Sequence, residues 1–483
     1  MHLAAAKDPD HQDPQIRSAL RRNALPQTPK PGSSWIERVV RAPFTWIIVV
    51  LLGLEIWATV ENLATMSDSL RSYPGESVAA GLKTSAKYAA YTLVPLALLI
   101  LWADRFRPQR FWIWLVTLGW GGAIAVFASL HINTWAAQQL SILGPNPDSG
   151  SRAAVFVAPW VEEATKGSIV FLLAILMRYQ WVSRLTGVAL AGLAGAGFAF
   201  TENILYYARM YQAAGQTFGA VQPEDAVKML AGVRGGWTFF AHPLFTMMIG
   251  IGVAVAVRTR SKLVRVIAPL IGYVAAAFLH MAFNGTSTVA GDGPMLLVMY
   301  FGVAVPLVLS LVFMIIRQVI TERNLIRQRL TDYVQMGWLE PEDPQYAPAI
   351  WARIRVLVLG LLTRSFLPTL SMQRSLTELA YLRDAMSRGI VDDAGLLREK
   401  QLLYKIRALR GRAIVDPAVH PPLPRIRLPW RRGNAAAQLP GAPAPAFGAP
   451  AAAAQHAAST PPALGPAATQ YSEVDPRWKP PGQ

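Results

Sequence analysis

Long, nearly uninterrupted apolar runs, joined by connections that are alternately rich and poor in arginine, constrain this chain more than any other feature. A helix of about 20 apolar residues matches the hydrocarbon thickness of a bilayer. In lipid, every backbone amide must find its partner within the protein, so only helices and closed barrels span. The short alternating segments of barrel strands are absent. The sequence therefore predicts an all-α fold, a polytopic membrane helical bundle of about eight transmembrane helices, over residues 43–60, 86–103, 111–132, 154–177, 185–208, 237–257, 264–284 and 295–316.

The basic residues set the orientation. Arg38 and Arg41 precede the first span; Arg105, Arg107 and Arg110 follow the second; Arg178 and Arg184 follow the fourth. Arg258, Arg260, Lys262 and Arg265 follow the sixth, and Arg317, Arg323, Arg327 and Arg329 the eighth. The intervening connections, of which 209–236 is the longest, carry few or mixed charges. That alternation predicts a multi-pass membrane protein with both termini cytoplasmic. The net charge of +17 is then a property of inner loops and the C-terminal region, expected to meet anionic lipid and no nucleic acid. The chain has no cysteine, which excludes disulfides, thiolate metal ligands and a cysteine nucleophile. Residues 1–34 hold no early apolar stretch, so no cleaved signal peptide is expected.

Four regions follow. Residues 1–42 read as a polar cytoplasmic N-terminal arm and 43–316 as the transmembrane domain. Residues 317–415 mix charges and apolar residues at helical spacing and read as a cytoplasmic helical region. Within it, the apolar stretch 351–370 is too short to span and is expected at the membrane surface or packed on its neighbours. Residues 416–483 read as a disordered Pro/Ala-rich tail; the tail is a candidate site for cytoplasmic partners.

Charges inside the spans carry the chemistry. Glu162, Glu163 and Lys166 share one stretch of an apolar segment, where ionised groups are costly and persist mainly at functional sites. Three later spans bring Glu202 and Asn203, then His242, then His280 and Asn284. With the alternating directions, Glu162 lies ~12 Å below the outer end of its span, Glu202 ~9 Å, His242 ~8 Å and His280 ~6 Å. Four segments thus put polar residues at one level, in the outer half of the bilayer. Lys166 is four residues from Glu162 and three from Glu163, and so can pair with either, leaving the other for proton transfer. His280 and Asn284, four apart, share a helix face. Gly and Ala recur at four-residue spacing from Gly187 to Ala199 and allow helices to approach closely.

This is the equipment of a hydrolase: a carboxylate or a metal to activate water, and donors for an oxyanion. The HExxH zinc signature is absent, although a set such as Glu202, His242 and His280 can still hold Zn²⁺ with an open position. Glu55 is an isolated acid in the first span, equally suited to a structural or gating role, while His131 and Asn133 close the third and read as interfacial.

The motifs resemble those of the PrsW family of intramembrane proteases, related more widely to the CAAX-prenyl endopeptidase superfamily. Glu162-Glu163-Ala164-Thr165-Lys166 is similar to its EExxK, Phe198 to Asn203 to its FxxxEN, His242 with Gly250 to a His-x7-Gly element, and His280 with Asn284 to HxxxN. The resemblance implies a membrane-anchored protein substrate, of the anti-sigma-factor kind, cut near the outer face. It implies catalytic roles for Glu162, Glu163, Glu202, His242, His280 and Asn284, with Lys166 and Asn203 in support. Metal-dependent and glutamate-activated mechanisms both remain open; in similar enzymes the first Glu of the pair is the base, with the second orienting it or binding the ion. Two further readings compete: a proton-coupled transporter using the cluster as a relay, and a non-catalytic sensor or scaffold.

Overall fold

The computed structural model describes residues 34–415, apart from 41, 72–76, 107–108, 143–148, 178–180, 182, 218–220, 290–292 and 392. The tail 416–483 and most of the N-terminal arm lie outside the described residues. Every regular element described is helical. The membrane region is built from α1 (Pro43–Arg71), α2 (Val78–Ala103), α3, α4 (Ala158–Leu176), α5 (Arg184–Thr217), α6 (Ala241–Ala256), α7 (Lys262–Val289) and α8 (Val305–Gln335). Helix α3 runs through Phe111–Gly119, a π-helical stretch Trp120–Ala125 and Val126–Ile142.

By length and composition, seven described helices are able to cross a membrane. The remaining expected span is α4, which is apolar except for Glu162, Glu163 and Lys166. Those charges set it apart from the seven, so its place among the spans depends on their being buried inside the bundle.

Helix α5 lies at the centre, packed on α2, α3, α4 and α6. Its small residues make this possible. A Cβ on Gly187 would stand 2.7 Å from the Gly250 carbonyl oxygen of α6, and one on Gly195 would stand 2.6 Å from the carbonyl oxygen of His242. The backbones of α5 and α6 are therefore in contact, and the height of His242 against α5 is fixed. The π-helical stretch of α3 frees carbonyl groups that other helices use. Asn62 of α1 donates to the Ala123 carbonyl at 3.0 Å, and Thr201 of α5 donates to that of Gly122 at 2.7 Å. Such π insertions recur at functional sites.

Helices run past the ends expected for two spans. The connection 209–236 is largely helical: helix α5 runs into it to Thr217, and further on it forms the helix Pro223–Ala231 and a π-helical turn Gly232–Trp237. Pro223 at the helix start and Glu224 and Asp225 in its first turn suit a helix N-terminus. The boundary expected at 316/317 falls inside the single helix α8, because its apolar stripe passes without a break into an amphipathic one. The second half of α8 joins α9 (Ile350–Leu362), α10 (Phe366–Ser387) and α11 (Asp393–Leu409) around a separate core that includes Tyr333, Met372, Leu376 and Leu402. In α9, Arg353 and Val356 are buried against its neighbours while Trp351, Val358 and Leu361 are exposed.

Candidate active site

Four helices supply the site, each held by a local device. Pro159 opens α4, and its later turns are fixed from both sides. Trp120 donates its indole N–H to Thr165 O at 3.1 Å and Ser168 Oγ at 3.0 Å, and Tyr273 donates to Trp160 O at 3.0 Å. Helix α5 carries Glu202, the start of α6 carries His242, and α7 carries His280.

Glu163 and Lys166 have no exposed surface. Their separation is 2.5 Å, against 3.8 Å between Lys166 Nζ and Glu162 Oε2. The lysine therefore pairs with the second glutamate. Glu163 is saturated: Oε1 also faces His280 Nδ1 at 3.0 Å, and Oε2 accepts from Thr246 Oγ1 at 2.9 Å. Glu162 is nearly bare. Its Oε1 has a long 3.4 Å contact from Asn133 Nδ2, and its Oε2 is buried with no hydrogen-bond partner among the described residues. His280 Nε2 lies 3.8 Å from that oxygen.

A carboxylate only accepts, so each histidine facing one must put its ring hydrogen there. His280 then carries its hydrogen on Nδ1 and presents a lone pair at Nε2, toward Glu162. His242 carries its hydrogen on Nε2, 2.8 Å from Glu202 Oε2, and presents Nδ1 to Lys166 Nζ at 3.2 Å. The rings stand almost perpendicular with centroids 5.0 Å apart.

One candidate ligand atom each from Glu162, His242 and His280 fall within 4.8 Å of one another. The ligand set expected from sequence named Glu202; the structure gathers Glu162 in its place. Glu202 is instead clamped by Arg234, whose Nη2 lies 2.6 Å from Oε2, while Arg234 Nε donates to Asn203 Oδ1 at 2.8 Å. The residues suit a borderline cation such as Zn²⁺: two imidazoles and one carboxylate, an unsatisfied buried oxygen, and carboxylates behind both histidines.

Asn284 is not brought in. Its amide donates to the Ala154 carbonyl at 2.9 Å, which ties α7 to the helix Ser149–Phe156. Glu55 is buried but shares no hydrogen bond or ion pair with the cluster among the described residues. His131 bonds within its own helix, to Phe127 O at 2.8 Å, whereas Asn133, expected at the interface, reaches Glu162. Sequence reasoning missed Arg234 and Thr246. Thr246 follows His242 by one helical turn, a spacing that offered a signal. Arg234 stood in a connection between two expected spans, where an arginine carries none.

Residues 109–311 match the family model described as PrsW family intramembrane metalloprotease. No curated protein and no solved structure matches the chain. The match covers the helices that carry the cluster, and it supports the PrsW family of intramembrane proteases for this membrane region: the chain is a multi-pass membrane peptidase.

Proposed function

We propose that the protein cuts a peptide bond in a membrane-anchored regulatory protein, of the kind that anti-sigma factors represent, using water activated at Glu162. The observation that carries the reading is the division of labour in the glutamate pair: Glu163 bears Lys166, His280 and Thr246, while Glu162 Oε2 is buried without a hydrogen-bond partner among the described residues. A buried acceptor left bare costs about 1–3 kcal/mol, a cost accepted where a substrate or ion completes the site.

In the reaction, the water oxygen bonds to the scissile carbonyl carbon as its proton passes to the Glu162 carboxylate. The tetrahedral oxyanion meets the buried charge of Lys166. The C–N bond then breaks, and the proton held by Glu162 goes to the departing amine. Glu163 fixes Lys166 and the ring of His280, and Glu202 with Arg234 and Asn203 fixes the ring of His242. A divalent cation such as Zn²⁺ held by His242, His280 and one oxygen of Glu162 would supply a Lewis acid beside the carbonyl, with the second carboxylate oxygen left to take the proton. The lone pair of His280 Nε2, turned toward Glu162, favours ligation over oxyanion donation, and that of His242 Nδ1 would join it on release from Lys166. Asn284, bonded to Ala154, acts through the backbone that carries His280.

In a bacterial plasma membrane, the setting that the PrsW resemblance implies, the alternation of arginine-rich connections supports cytoplasmic termini and a cut near the outer face. On this reading residues 1–42 are a cytoplasmic arm, 43–316 the protease domain, and 317–415 with the tail 416–483 a cytoplasmic region for partners. Purified protein in liposomes with a labelled single-span substrate tests the activity: a discrete product is expected, and a product that persists in both Glu162→Gln and His242→Ala rejects the assignment.

A further inference from the structure

A cavity of about 330 Å³ lies beside the cluster, bounded by α2, α5, α6, α7 and the helix Gly293–Met299 with its π-helical continuation Tyr300–Ala304. The volume is near the lower end of ligand-binding pockets, roughly 300–1,000 Å³. Cavity and cluster share a wall. His242 lines the cavity, as does Phe245, whose ring stacks on His280 with centroids 5.0 Å apart. Leu96, Phe200, Leu279 and Phe283 make most of the remaining surface apolar, and Arg234 and Asn203 form a polar end.

We propose that this cavity is a substrate subsite that seats one bulky apolar side chain of the membrane-anchored substrate, next to the bond that is cut. The inference rests on the protease reading above. A charged or amide side chain has few partners against this lining and pays its full desolvation there. The shared wall favours a peptide over a lipid chain: with His242 in the lining, the occupant lies next to the cluster, and Arg234 and Asn203 can meet the carbonyl groups flanking a seated side chain. The occupant comes from the bilayer side. Leu297, Val298 and Phe301 of the bounding helix are all at least half exposed, so a single helix separates cavity from lipid.

Ala282 and Ala304 line the cavity and make no polar contact with the cluster. Ala282→Trp and Ala304→Trp therefore shrink the cavity from two sides. In liposomes, kcat/KM is measured for two single-span substrates that differ only in Leu or Ala beside the cut. Wild type is expected to prefer Leu by at least tenfold, since each methylene in such a pocket is worth roughly 10–200-fold. Either tryptophan lowers that preference by tenfold or more. Cleavage with an unchanged Leu/Ala ratio overturns the subsite alone; absence of any cut by the wild type sinks the protease reading and the subsite with it. A benzophenone side chain at position 304 in Glu162→Gln gives a readout without turnover. Adducts to the substrate residue beside the cut support the subsite, and adducts to lipid alone overturn it.

Discussion

His280 Nδ1 lies 3.0 Å from Glu163 Oε1, a pairing made across 117 residues of sequence, and it commits the second glutamate of the pair to holding other groups in place. Glu163→Gln keeps the shape but removes the charge that Lys166 and His280 share. Cleavage is expected to fall about 10–100-fold, as for other groups that orient an active-site histidine. Breaking a buried pair typically costs about 3–5 kcal/mol, so the melting temperature in detergent falls as well. Wild-type rate and melting temperature together would contradict the assignment.

Glu162→Gln separates activity from stability in the opposite way. The carboxylate has one long contact, from Asn133, and an oxygen without a hydrogen-bond partner among the described residues. Its loss is expected to lower cleavage by about 10²–10⁴-fold, the contribution of a positioned base. Stability should move by less than about 1 kcal/mol, the worth of an ordinary hydrogen bond. Product formation and thermal unfolding on the same preparation check both halves.

Arg234 reaches His242 through Glu202. Arg234→Lys keeps a charge but loses the fork that spans Glu202 and Asn203. A fall in kcat of about tenfold is expected for Lys and about 100-fold for Arg234→Met, a graded response that marks a positioning residue. Equal activity in wild type and Arg234→Met removes Arg234 from the site.

Metal removal tests the Glu162, His242 and His280 set directly. Dialysis against a chelator is expected to abolish cleavage, and one equivalent of Zn²⁺ to restore it. Metal analysis of His280→Ala should show that equivalent lost. Full activity in metal-free protein would assign the chemistry to Glu162 alone.

In the core that α8 and α10 share, Tyr381 of α10 donates to Glu322 Oε2 at 2.5 Å, and Glu322 Oε1 accepts from Ser183 Oγ at 2.6 Å just before α5. Burial, then the Glu322 charge, raises the Tyr381 phenol well above its ordinary value near 10. A group raised in the folded state contributes stability that is complete below its unfolded value and lost as pH climbs through the folded one. Unfolding measurements should therefore show a decline setting in above about pH 10. Tyr381→Phe should flatten part of that decline and cost about 1.5–3 kcal/mol at neutral pH, the range for a hydrogen bond to a charged group.

Much of the molecule was legible in one dimension because its rules are local. Hydrophobic runs fix where helices form, since an amide in lipid has no other partner. The Gly and Ala repeat of α5 announced a backbone contact, and Gly195 against His242 O is that contact. Spacings of three and four residues put Lys166 within reach of both glutamates and told which faces were polar.

Sequence by itself thus determined a membrane bundle with ionisable groups on neighbouring spans. Tertiary structure alone decided their roles. Lys166 could reach either carboxylate by helix geometry; His280 and Thr246, arriving from α7 and α6, drew Glu163 to it and left Glu162 bare. Arg234 became a partner of Glu202 because the connection between two expected spans folds into a π-helical turn against α5. Asn284, on the face expected to serve the site, was claimed by the carbonyl of Ala154. Spacing limits what a side chain can touch along its own helix, whereas the partner it takes is settled by whichever donor or acceptor the neighbouring helices bring within hydrogen-bond range.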